Sequence, residues 1–141
     1  MLRRVVLPES ASHLSLGALA KSKHLKTLVL SLRTQTAFDA FEKMRGHKFL
    51  KTLVLALSKP LSKQAASSIA SMPNLEYLRL PWQSKIEDFE LVADSKSLKV
   101  ISCSSTEFTG SQLLKLKKPT SLLEIKIGYD VVWKRASDQA D

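Results

Sequence analysis

Six copies of an apolar hexad, L-x-x-L-x-L, divide the chain into units of nearly constant length. Two of them, Leu25-Lys26-Thr27-Leu28-Val29-Leu30 and Leu50-Lys51-Thr52-Leu53-Val54-Leu55, are almost identical. The others place Leu75, Leu78 and Leu80, then Leu98, Ile101 and Cys103, then Leu122, Ile125 and Ile127, and upstream Leu2, Val5 and Leu7, at the same three positions. The hexads begin at 2, 25, 50, 75, 98 and 122, so successive offsets are 23, 25, 25, 23 and 24. One such hexad carries no information. Six at a steady period mean that each copy does the same structural job, and that neighbours stack to bury what one unit cannot bury alone. Strand side chains alternate, so the fourth and sixth positions of a hexad share a face. Those positions are Leu28/Leu30, Leu53/Leu55, Leu78/Leu80, Ile101/Cys103 and Ile125/Ile127, and Cys103 reads as a small buried hydrophobe among them.

The hexads and their spacing resemble the leucine-rich repeat superfamily, whose motif is L-x-x-L-x-L-x-x-N/C-x-L at about 20–29 residues per unit. The resemblance runs from Leu2 to about Trp133. It departs from the family at the asparagine position, filled here by Ser10, Arg33, Ser58, Gln83, Thr106 and Asp130, while the one Asn in the chain is Asn74. The asparagine ladder that joins successive turns is therefore missing, which leaves the subclass unassigned. The resemblance implies an α/β fold, a leucine-rich repeat solenoid wound as a right-handed β-α superhelix of about six repeats. Its parallel sheet would be concave and its helices convex. Residues 1–135 would form a single domain, with a polar tail over 136–141.

The segments between hexads read as helices. Ala37, Phe38, Ala40, Phe41 and Met44 make one stripe at three- and four-residue spacing, as do Leu61, Ala65, Ile69 and Met72. Ile86, Phe89, Val92 and Ala93, then Leu113, Leu114 and Leu116, follow suit. Thr109-Gly110-Ser111-Gln112 has the form of a capping box. Pro60, Pro73 and Pro119 fall in connections, where a missing N–H does no harm. Arg3 and Arg4 place charge on the first strand, which discourages stray edge pairing. No amphipathic helix precedes that strand, so the expectation is either that another subunit covers the first repeat or that the chain is cut from something longer. Val131-Val132-Trp133 is expected to fold over the other open end.

Enzymatic readings find little to stand on. Four glycines form neither a dinucleotide fingerprint nor a phosphate loop. The single cysteine excludes an intrachain disulfide and leaves no basis for a cysteine metal site. His13, His24 and His47 fall in loops or return segments without metal-ligand spacing, and Asp39, Glu42, Glu87, Asp88 and Glu90 read as solvated helix faces. The expectation is no enzyme, no catalytic residue, no metal and no cofactor. The longest apolar run, residues 53–57, is far short of the ~20 needed to span a bilayer. MLRRVVLP lacks the apolar core of a secretory signal, and Leu2, Val5 and Leu7 belong to the first hexad. An intracellular protein, cytoplasmic or mitochondrial and not secreted, is expected.

The residues between the leucines are then the informative ones. Position three of the hexads holds Arg4, Thr27, Thr52, Tyr77, Val100 and Glu124. Position five holds Val6, Val29, Val54, Arg79, Ser102 and Lys126. Stacked strands stand ~4.8 Å apart, so each position becomes a continuous row on the concave face. Thr27, Val29, Thr52, Val54, Tyr77, Arg79, Trp82 and Lys126 are the candidate partner-binding residues, because flat β-branched side chains beside a Tyr and an Arg suit an interface hot spot. Leu32, Leu57 and Trp82 lie two residues past the sixth position. The first two turn inward if the strand continues, and Trp82 is read as partly exposed.

Position two is basic, with Arg3, Lys26, Lys51 and Lys99 in a row that Glu76 and Leu123 interrupt. With 22 Lys and Arg against 13 Asp and Glu, the formal charge is +9, which draws anionic neighbours. Readers of single-stranded nucleic acid pair such cations with stacking aromatics. Only Tyr77, Trp82 and Tyr129 qualify in these rows, so nucleic acid is the weaker reading. Members of the resembled superfamily act as adaptors, substrate receptors or recognition domains. The resemblance thus implies a non-enzymatic scaffold that binds an unidentified protein partner. The alternative is a small basic accessory subunit of a large complex, mitochondrial or ribosomal, with anionic or nucleic-acid contacts.

Overall fold

The computed structural model describes residues 4–7, 13–32, 39, 41–57, 63–80, 90–92, 94–104 and 121–135. Their centre is a seven-stranded open sheet whose strands follow one another in chain order. The strands are β1 (Arg4–Leu7), β2 (Thr27–Leu32), β3 (Thr52–Leu57), β4 (Tyr77–Leu80), β5 (Val100–Cys103), β6 (Glu124–Ile127) and β7 (Asp130–Lys134). The first six are mutually parallel, and β7 returns antiparallel to β6. Strand follows strand in this way only if the chain crosses back between them, and the described parts of the first four connections carry helix. These are α1 (His13–Ala20), a 3-10 turn over Phe41–Met44, α2 (Lys63–Ala70) and a helical segment over 90–92.

The register repeats from strand to strand. Arg4 pairs with Thr27, Thr27 with Thr52, Thr52 with Tyr77, Tyr77 with Val100, and Val100 with Glu124. Third positions of the hexads therefore lie side by side. A slip of one residue would swap the faces of a strand, and burial forbids it. Leu28, Leu30, Leu53, Leu55, Leu78, Leu80, Ile101, Cys103 and Ile125 are buried, while their odd-position neighbours are half-buried or exposed. The buried row meets Phe41, Met44, Ala65, Ala66, Ile69 and Val92 from the helical layer in one continuous core. The first leucines of the hexads, Leu25, Leu50, Leu75, Leu98 and Leu122, are buried at its margin. Burial pushes the Cys103 thiol up to about 12, as befits a core side chain.

Three features differ from the sequence reading. First, α1 begins at His13, a residue assigned above to a loop; its apolar residues are spread along HLSLGALA without forming a stripe, so periodicity gives no signal. Second, the stripe ending at Met44 is α-helical at Asp39 but closes over Phe41–Met44 as a 3-10 turn, which buries Phe41 and Met44. Third, the chain after Ile127 forms a strand of its own. Gly128 adopts φ 62° in a two-residue turn, the left-handed conformation that a Gly-X hairpin needs at its first central position. Val132 and Trp133 pack half-buried against the core, and Arg135 is clamped across the hairpin by an Nε–H bond to the Leu122 carbonyl at 2.9 Å.

β2 and β3 extend through Leu32 and Leu57. The stripes at 86–89 and 113–116, the capping box at 109–112, Trp82, Arg3, the tail over 136–141 and five of the six asparagine-position residues lie outside the described residues. Asp130, the sixth, opens β7. Side chains in the return turns instead bond from one unit to the next. The Gly46 N–H donates to Ser71 Oγ at 2.9 Å, Ser97 Oγ donates to the Met72 carbonyl at 3.1 Å, and Asn74 Nδ2 donates to the Lys48 carbonyl. No helix among the described residues is long and apolar enough to cross a membrane.

Candidate functional site

The helices cover one face of the sheet. On the other face the registered rows run Thr27, Thr52, Tyr77, Val100, Glu124 and Val29, Val54, Arg79, Ser102, Lys126. All are half-buried except Arg79, which is exposed. Seven of the eight candidate binding residues thus come together on one face, and Trp82 is the one outside the described residues. The face changes character along its length. Over β2 and β3 it is flat, with Thr and Val alternating. From β4 onwards it gains Tyr77 and Arg79, then the Lys126–Glu124 ion pair at 3.3 Å. Among the described residues Arg79 has no ion-pair partner.

Beside Arg79 the C-terminal ends of β4 to β6 enclose a cavity of about 160 Å³, lined by Arg79, Ser102, Cys103, Ser104, Gly128 and Tyr129. Tyr129 occupies the hairpin tip and is fully exposed. One guanidinium and three hydroxyls can hold an anionic or hydrogen-bonding group. They offer no base–nucleophile pair, since the only thiol is buried and kept protonated. A second depression of about 380 Å³ lies among the return turns, between Ala70, Ser71, Met72, Pro73, Asp94, Lys96 and Ser97. No group of three or more His, Cys, Asp and Glu side chains converges among the described residues.

The basic row lies along the sheet margin where the strands begin. Backbone bonds step along it: Lys51 N–H to the Lys26 carbonyl at 2.9 Å, Glu76 N–H to that of Lys51 at 2.8 Å, and Lys99 N–H to that of Glu76 at 2.8 Å. The three described lysines are not equivalent. Lys99 pairs with Glu76 at 3.6 Å, whereas the Lys26 ammonium lies 5.7 Å from the Phe49 ring centroid. Lys51 is exposed and forms no ion pair among the described residues.

Sequence reasoning passed over Phe49 and His47. Phe49 is 37% exposed in the turn before β3, and the buried His47 ring lies nearly perpendicular to it, at a centroid distance of 6.1 Å and an interplanar angle of 85°. His47 Nδ1 accepts from the N–H groups of Phe49 and Leu50 at 3.2 and 3.1 Å, and its Nε2–H donates to the Leu19 carbonyl at 3.2 Å. This pattern requires the neutral Nε2–H tautomer, because a proton on Nδ1 would face two other donors. Burial accordingly holds the His47 pKa below its usual 6.5, and the Lys26 charge adds to the effect against the raising influence of the backbone carbonyls. Ser95 does the same work two units on, its Oγ accepting from the Ser97 and Leu98 N–H groups. The recurring place three residues before the first leucine is the signal that would have found His47.

Comparison with protein-family models, with curated proteins and with solved structures returns no match.

Proposed function

We propose that the chain is a leucine-rich repeat solenoid of about six units that works as a non-enzymatic protein-interaction module, gripping a partner on the concave face of its sheet. The observation that carries this reading is a face of the parallel sheet over which no described element lies. Parallel sheets are normally buried on both sides, because crossover connections cover them. Here every crossover helix among the described residues serves the same core, and the rows from Thr27 to Lys126 have no described element over them. Six strands in register make those rows a surface of defined chemistry on a rigid base. Such surfaces favour recognition over chemistry.

Tyr77 and Arg79 anchor the reading. Both residue types dominate interface energetics when they become desolvated, and the flat Thr and Val rows beside them exclude water. The test is the double variant Tyr77→Ala/Arg79→Ala in quantitative affinity capture from cell extract, with circular dichroism to confirm the fold. A specific partner should be depleted about tenfold or more. A captured set that does not change, in a variant that folds normally, moves the site off this face.

A further inference from the structure

We propose that a second surface, the margin built by the return turns before β2 and β3, binds single-stranded nucleic acid. It is separate from the open face and independent of the partner proposed there.

Equivalent positions of adjacent units lie side by side. Leu25 and Leu50 open adjacent hexads and are both buried, so the residues before and after them repeat in space about one strand spacing apart, ~4.8 Å. Immediately before them stand His24 and Phe49, both exposed. On one side of this pair are Lys23 and Lys48, both exposed, and on the other Lys26 and Lys51. Two ring-bearing residues thus lie between two columns of lysine. The turns that carry them are tied together by the Lys51 N–H bond to Lys26 and by the His47 bond to Leu19.

Most of these charges are unneutralised among the described residues. Lys23, Lys48 and Lys51 form no ion pair among the described residues, in contrast to Lys99 further along the same row. An isolated exposed phenyl is ordinary on a protein surface. This one is held, with the His47 ring perpendicular against it and the Lys26 ammonium near its face, and His47 is itself fixed by two backbone donors. Base stacking on an ordered ring loses less conformational freedom than stacking on a free one. A ring with cations on either side is the arrangement by which sequence-tolerant single-strand binders hold base and phosphate together. Acidic protein would use the lysines and leave the rings idle, so the interleaving favours nucleic acid.

The test is fluorescence anisotropy of the full chain with fluorescein-labelled 15-nucleotide poly(U) and poly(dT) in 50 and 200 mM NaCl. Saturable binding should weaken with salt, with a log–log slope of about −3 if four lysines each displace about 0.7 of an ion. Phe49→Ala should weaken binding about fivefold or more with the slope unchanged. Lys23→Gln combined with Lys48→Gln should roughly halve the slope. Phe49→Trp should bind like the parent and lose emission on adding poly(U), a readout that a merely structural role would not move. Tyr77→Ala/Arg79→Ala should bind like the parent, which keeps the outcome distinct from that of the open face. Preference for one of the two probes identifies RNA or DNA as the ligand. Absence of binding in 50 mM NaCl, or equal binding by a folded Phe49→Ala, overturns the proposal. So does binding only to vesicles of 70:30 phosphatidylcholine and phosphatidylserine, which would make the margin a lipid surface.

Discussion

The row of second positions crosses two regions that the fold treats alike and the chemistry does not. At β2 and β3 it offers Lys26 and Lys51 beside an exposed ring, with no carboxylate paired to them among the described residues. At β4 and β5 the same row is neutralised by the Glu76–Lys99 pair, and on the open face Glu124 neutralises Lys126. Backbone geometry is the same throughout, since one ladder of bonds runs from Lys26 to Leu123. A repeated scaffold therefore fixes where side chains stand and leaves their chemistry free to vary unit by unit. Function then resides in the places where equivalent positions differ.

The largest expected effect tests the scaffold that the two regions share. Leu53→Ala empties a fully buried site in β3 and should cost about 2–5 kcal/mol in urea unfolding. Leu123→Ala, at an exposed position just before β6, should stay within about 0.5 kcal/mol. A neutral Leu53→Ala would break the assigned register.

A subtler substitution sharpens the contrast in charge. Glu76→Gln releases Lys99 and lengthens the unpaired row, so poly(U) affinity should rise severalfold in 50 mM NaCl. Both partners are about half exposed, and stability should move by less than about 1 kcal/mol. An affinity that does not respond would confine the proposed surface to the first two turns.

The two acceptors in equivalent turns, His47 and Ser95, should respond differently to pH. The folded-state pKa of His47 is depressed by burial, so its contribution to stability is complete above about pH 6.5 and is lost as pH falls towards the folded value. Melting temperature should therefore be lower at pH 5.5 than at pH 7.5. His47→Ser, which installs the Ser95 solution, should be less stable at pH 7.5 and flatter between the two values. A parent protein with no such slope would contradict the neutral tautomer. The smallest effect is at Cys103: with its thiol pushed up to about 12, native protein should leave a disulfide reagent unreacted and consume one equivalent only in denaturant.

The strands were legible because their signal is doubled. Alternation within a hexad says which residues are inward, and recurrence says which residues lie side by side; Thr27, Thr52 and Tyr77 are in fact register partners. The helical side was less legible. Leu and Ala distributed through HLSLGALA leave no stripe, although α1 forms, and the stripe that is α-helical at Asp39 buries Phe41 and Met44 in a closing 3-10 turn. Apolar spacing marks burial more reliably than it marks the number of residues per turn. β7 was read as a cap because Val131-Val132-Trp133 is apolar, while the Gly128-Tyr129 turn that reverses the chain is a short-range signal of a different kind. Phe49 escaped notice for a related reason. Its partners are a histidine two residues away and a lysine in the preceding unit, and only the folded return turns bring the three together.

The claim that the open face is the protein-binding surface is tested most directly by Val54→Arg against Lys48→Glu in parallel affinity capture. Val54 lies in the middle of the face and Lys48 on the margin, and neither side chain is buried. The account expects Val54→Arg to deplete a specific protein about tenfold or more while Lys48→Glu retains it. Retention by Val54→Arg together with loss in Lys48→Glu would contradict it and place recognition on the return turns instead.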